Sequence, residues 1–140
     1  MSDFSAFYAQ NAAVETTEDF VVSPRFKDKD GKVIPWKLRS ITEEENKELR
    51  KAATKRTKGK YGQFTSEMDA NEYMAKMVVA SVSYPDLKNA ELQKSYGVLG
   101  SEILLRKMLL PGEFSALSEQ VQTLNGFDQD INEQIAEVKN

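Results

Sequence analysis

One stretch of the chain alternates strictly between apolar and polar side chains: Ile34, Trp36, Leu38 and Ser40 interleave with Pro35, Lys37 and Arg39. A period of two buries one face of an extended strand. Phe20-Val21-Val22-Ser23 precedes it as a second β-prone run. Between them, Asp30-Gly31 in the segment Lys27 to Lys32 offers the positive φ that a tight connection demands. The two runs predict an N-terminal β-hairpin, Phe20–Ser23 against Val33–Ile41. Pro35 has no N–H to give a ladder, so its strand is expected at an edge or with that position facing outward.

Downstream, the punctuation is that of helices. Thr42 with Glu45 three residues on reads as a capping box, the acids Glu43, Glu44 and Glu45 suit a first turn, and bases gather toward Arg50 and Lys51. Lys58 to Ser66 reads as a glycine-punctuated loop. Asp69, with Glu72, starts a second helix carrying Ala70, Tyr73, Met74, Met77 and Val78, which Pro85 stops. Asn89 to Tyr96 makes a short helix ended by Gly97, and Ser101 is placed to cap another that runs through Leu109. Pro111 opens the next, where Phe114, Leu117, Val121 and Leu124 form one apolar stripe. Gly126 ends it, with Phe127 positioned against Val121. Ile131, Ile135 and Val138 share one face of a terminal acidic helix.

The expected fold is therefore mainly α (α+β): an N-terminal β-hairpin followed by a bundle of about five short helices. Residues 1–18 are expected as a flexible N-terminal arm and residues 19–140 as a single globular domain. Residues 1–18 and 57–66 lack an apolar stripe and are expected to be the least ordered parts. Trp36, Met77, Leu104, Leu117 and Val121 are the expected core.

Composition narrows the chemistry. Among 140 residues there is no Cys and no His. Disulfides, thiolate nucleophiles, Cys-ligated metals and the Ser-His-Asp or Cys-His constellations are all excluded. Any metal would rest on carboxylates and carbonyls. The one segment with a calcium-loop look, Asp28-Lys29-Asp30-Gly31, puts Phe26 at the first ligand position and Lys37 where a bidentate Glu must stand. Glu43-Glu44-Glu45 is read as capping charge. No catalytic residue, cofactor or metal is expected, and the function is assigned to surfaces.

The 19 basic and 22 acidic side chains are unevenly spread. Residues 1–20 hold Asp3, Glu15, Glu18 and Asp19 with no base, whereas Lys47, Arg50, Lys51, Lys55, Arg56, Lys58 and Lys60 crowd one segment beside Glu48 alone. The end turns acidic again, with Asp128, Asp130, Glu133 and Glu137. The basic segment reads as a solvated helix face and loop, or as a phosphate-attracting patch. Phe4, Phe7 and Tyr8, at i, i+3 and i+4, either pack on their own domain or dock on a partner. Ile131, Ile135 and Val138 leave the same two choices. Met1 to Gln10 lack the basic and apolar regions of a secretory signal. The longest apolar runs also fall far short of the ~20 residues that span a bilayer. A soluble protein without a membrane partner is expected.

Pro24-Arg25-Phe26 with Asp28 and Gly31, Trp36-Lys37-Leu38-Arg39, Ile41 to Glu45, Tyr84-Pro85-Asp86-Leu87, Ser95-Tyr96-Gly97, Leu109 to Glu113 and Leu124-Asn125-Gly126-Phe127 follow in order. In order and spacing the chain resembles the XkdN-like tail assembly chaperones of long-tailed phages and prophages of Gram-positive bacteria. The resemblance implies a non-enzymatic protein in the cytoplasm of the bacterial host cell. It would keep the phage tape measure protein soluble, help assemble tail tube protein around it, and be absent from the mature virion. The candidate partner-binding residues are Phe4, Phe7, Tyr8, Ile131, Ile135 and Val138. The alternative is a small nucleic-acid-associated phage protein acting through residues 47–60; a carboxylate hydrolase has only scattered acids behind it.

Overall fold

The structure is a computed structural model describing residues 4–127. After a short 3-10 turn at Phe4–Phe7 come β1 (Thr17–Phe20), β2 (Trp36–Arg39), α1 (Glu43–Ala52), β3 (Thr54–Lys58) and β4 (Phe64–Met68). Then follow α2 (Ala70–Ser81), β5 (Val82–Tyr84), α3 (Ala90–Ser95), α4 (Ser101–Met108) and α5 (Pro111–Leu124). The expectation of a mainly α molecule with one hairpin is thereby corrected. Among the described residues five strands form two small sheets beside five helices, an α+β arrangement.

The helix ends follow from the cap chemistry, with two exceptions. Thr42 Oγ1 accepts the Glu45 N–H at 3.1 Å while the Glu45 carboxylate accepts the Thr42 N–H at 3.2 Å, closing the box at the start of α1. Asp69 accepts from the N–H groups of Asn71 and Glu72 at α2, and Asn89 from that of Leu92 at α3. Glu72, expected to close a box with Asp69, pairs instead with Lys55 and Lys76. Ser101, the expected cap of α4, is its first helical residue. Gly100 occupies the cap position at φ 120°, and Ser101 Oγ donates to the Leu87 carbonyl at 3.1 Å. α5 ends as the sequence demands. Gly126 sits at φ 83°, and the N–H groups of Gly126 and Phe127 return to the carbonyls of Thr123 and Gln122. Phe127 itself stays exposed, outside the core.

The core forms where the apolar stripes converge. Trp36, Met77, Leu104, Leu117 and Val121 are all buried, as their spacing predicts, together with Leu38, Val78 and Leu105. α2 lies at the centre, packed on α1, α4 and α5. Burying each such side chain stabilises by roughly 1.5–3 kcal/mol, which makes this cluster the main driving force of the fold.

The sheets depart most from expectation. The three-stranded sheet has order β1-β2-β5, all antiparallel, with Phe20 opposite Trp36 and Thr17 opposite Arg39. The first strand is therefore Thr17–Phe20 and not Phe20–Ser23. Asp28-Lys29-Asp30-Gly31 closes a separate small turn, where Lys27 bridges Val33 and the Asp28 carboxylate accepts from the N–H groups of Asp30 and Lys32. Pro35 falls one residue before β2, so β2 can be the central strand rather than an edge. The end of the apolar run read as helix turns extended at Val82, where β5 joins β2 with a bulge and Ser83 Oγ donates to the Lys37 carbonyl. The second sheet, β3 with β4, occupies the segment expected as a helix end and a loop.

Candidate partner-binding surfaces

The N-terminal turn presents its aromatics to solvent: Phe4, Phe7 and Tyr8 are 64%, 77% and 53% exposed. Side chains of this size usually bury most of their surface. Of the two readings the sequence left open, packing on their own domain or docking on a partner, the first is not seen among the described residues, where none of the three joins the core. Downstream the segment is held by one buried side chain. Ser40 Oγ donates to the Val14 carbonyl at 2.9 Å and accepts the Thr16 N–H at 2.8 Å, while the Ser40 N–H donates to the Thr16 carbonyl. The acids Glu15, Glu18 and Asp19 follow directly. Gln120 on α5 donates to Glu18. Ile131, Ile135 and Val138 lie outside the described residues.

The charged side chains mostly satisfy one another. Arg25 makes hydrogen bonds to both Glu113 oxygens, at 3.3 and 2.5 Å, and to the Met108 carbonyl at 2.9 Å, which ties the loop after β1 to the α4–α5 junction. The Arg25 and Ser23 hydrogen bonds, together with the Leu110 N–H, hold the Glu113 carboxyl at about 2. Arg39 pairs with Glu45 at 2.9 Å and keeps that carboxyl below its ordinary range. At Glu102 burial pushes the carboxyl up, but the Lys76 ammonium at 3.1 Å and its neighbours outweigh it and bring it down. Arg39, Lys76 and Glu102 from these last two pairs line a groove of about 480 Å³, together with Leu49, Val79 and Leu87. Arg39, Lys76 and Glu102 in the lining of this groove are thus engaged in ion pairs. Among the described residues no group of three or more acids converges to hold a metal.

The profile of the phage XkdN-like tail assembly chaperone proteins matches residues 4–139. The chain is 32% identical to the phage-like element PBSX protein XkdN of Bacillus subtilis strain 168, across 96% of this chain and 93% of that one. This chain belongs to the XkdN-like tail assembly chaperone family. The uncharacterized protein YqbN of the same organism is 31% identical over a similar span. A crystal structure of the protein YqbN superposes with a TM-score of 0.78 at 26% identity, covering 91% of this chain and 99% of that one.

Within this family frame, three features of the present chain escape a reading of the sequence. Ser40 was visible only as the last buried position of an alternating strand. Asn125 lay inside a helix-end signal, yet its side chain accepts the Ile41 N–H at 2.7 Å and donates to Ser81 Oγ and the Val121 carbonyl. It joins α5 to the start of α1 and the end of α2. The β3–β4 hairpin carries no apolar alternation. Its remaining signal was Thr54, Thr57 and Thr65 flanking Gly59 and Gly62, β-branched residues either side of a turn.

Proposed function

We propose that the protein is a non-catalytic chaperone that binds the phage tape measure protein, with the tail tube protein as a second client. It acts in the cytoplasm of the bacterial host cell and leaves before the virion is complete. Membership of the tail assembly chaperone family over residues 4–139 is the observation that carries this reading. The exposed aromatic turn supports it: Phe4, Phe7 and Tyr8 offer apolar area on a tether fixed at Ser40, and the acids beside it discourage self-association by charge repulsion. Ile131, Ile135 and Val138, in the acidic C-terminal segment, are proposed as the second half of the contact. Apolar burial, at about 25 cal/mol per Å², is the driving force this surface offers a partner, and it does not weaken with salt.

The test is co-expression with the tape measure protein followed by affinity capture across a salt series. Capture that persists at high salt and is lost on Phe4→Asp with Phe7→Asp is expected. A tape measure protein that stays insoluble and uncaptured at every salt concentration would overturn the reading.

A further inference from the structure

The β3–β4 hairpin points to a binding site of its own. Its register sets Thr54 opposite Met68, Arg56 opposite Ser66 and Lys58 opposite Phe64, so these six share one face. The other face carries Lys55 opposite Glu67 and Thr57 opposite Thr65. Every residue of both strands is exposed. The two faces differ in charge: Lys55 lies 3.9 Å from Asp69 and from Glu72, whereas Arg56 and Lys58 enter no salt bridge among the described residues. Instead the Arg56 guanidinium stacks on Phe64, 4.2 Å from the ring centroid. Lys60 and the 88% exposed Tyr61 extend the same character to the tip.

We propose that this face and its adjoining strand edge bind an acidic segment of a partner polypeptide in extended conformation, with acids at alternate positions facing Arg56 and Lys58. Three observations choose this occupant. A two-stranded sheet leaves the outer edges of both strands without a ladder partner, the template for strand addition. A second copy would bring Arg56 and Lys58 against the same cations, and basic edge strands resist such pairing. Nucleic acid is disfavoured because Glu67 occupies the opposite face, Asp69 and Glu72 stand at the base, and one side of the Phe64 ring is already covered by Arg56. The site is independent of the aromatic turn and does not require the tape measure protein to be the client.

The full chain is titrated by fluorescence anisotropy against three labelled probes: a ten-residue peptide alternating Glu and Val, its Lys and Val counterpart, and a short duplex DNA. The acidic peptide is expected to bind at least tenfold more tightly than the basic one. Arg56→Glu with Lys58→Glu is expected to weaken it tenfold or more, and Arg56→Gln with Lys58→Gln several-fold. Lys51→Glu, at an exposed position of α1, should change it less than twofold. Thermal melts establish that each variant is folded, and the hairpin's exposure makes that the expected result. Four outcomes each overturn the proposal: no binding of the acidic peptide, tighter binding of the duplex, an equal loss from Lys51→Glu, or self-association that disappears in the Arg56 and Lys58 variants.

Discussion

Glu113 shows how a single carboxylate can link distant parts of the chain. It closes the start of α5 through the Leu110 N–H at 2.8 Å and receives Arg25 from 88 residues earlier. Because its folded pKa, about 2, lies below the usual 4.5, the stabilisation is complete above pH 4.5 and is lost as the pH falls toward 2. Thermal melts between those values should show the wild-type Tm falling more steeply than that of Glu113→Gln. Parallel acid limbs would remove Glu113 from the account. Asn125→Ala leaves the Ile41 N–H without its partner, and a loss of about 1–3 kcal/mol is expected by denaturant unfolding. Ser118 is the opposite case. Its hydroxyl is buried and finds no partner among the described residues, so Ser118→Ala should leave stability unchanged or raise it, by up to about 1 kcal/mol.

Elements differ in how much of the core they own. α5 contributes Leu117 and Val121, both with no exposed surface, so Leu117→Ala should cost ~2–5 kcal/mol. A cost below ~0.5 kcal/mol, in the range typical of surface substitutions, would contradict its placement. The β3–β4 hairpin contributes no buried residue. An isolated two-stranded ribbon is marginally stable in water, so local opening there should precede opening elsewhere. Limited trypsin digestion is expected to cut first at Lys58 or Lys60, and a first cut at Arg106 or Lys107 in α4 would refute that order.

For the whole molecule, the decisive contrast is between a compact cluster around α2 and two exposed appendages of different chemistry, an aromatic turn beside acids and a basic hairpin. Binding through the first should resist salt. Phosphate contacts through the second would instead lose ~10³–10⁵-fold in affinity between 50 and 200 mM salt if six to ten were made. A salt titration of the protein with tape measure protein and with DNA separates the two. Salt-resistant capture of the former and no retention of the latter at 200 mM is expected.

The amino-acid sequence by itself determined whatever depends on near neighbours. The Thr42–Glu45 box, the Asp69 and Asn89 caps, Pro111 at the head of α5 and Gly126 past its end all act within four residues. The stripe from Leu117 to Val121 predicts its own burial. It also determined that no Cys or His chemistry is present, and the ordered blocks from Pro24 to Phe127 pointed to the family. The exposed state of Phe4, Phe7 and Tyr8 was not among these, since their spacing permits either packing or docking. Only the tertiary structure decided the sheets. Val82–Tyr84 is the tail of an apolar run whose extended form depends on a free edge of β2, where Val82 pairs with Leu38, 44 positions earlier, beyond the reach of local propensity. Thr54–Lys58 and Phe64–Met68 pair with neither face against the core, so no hydrophobic period records them. Long-range pairing and solvent-facing strands leave little trace in local pattern, which is why a mainly helical expectation became an α+β fold.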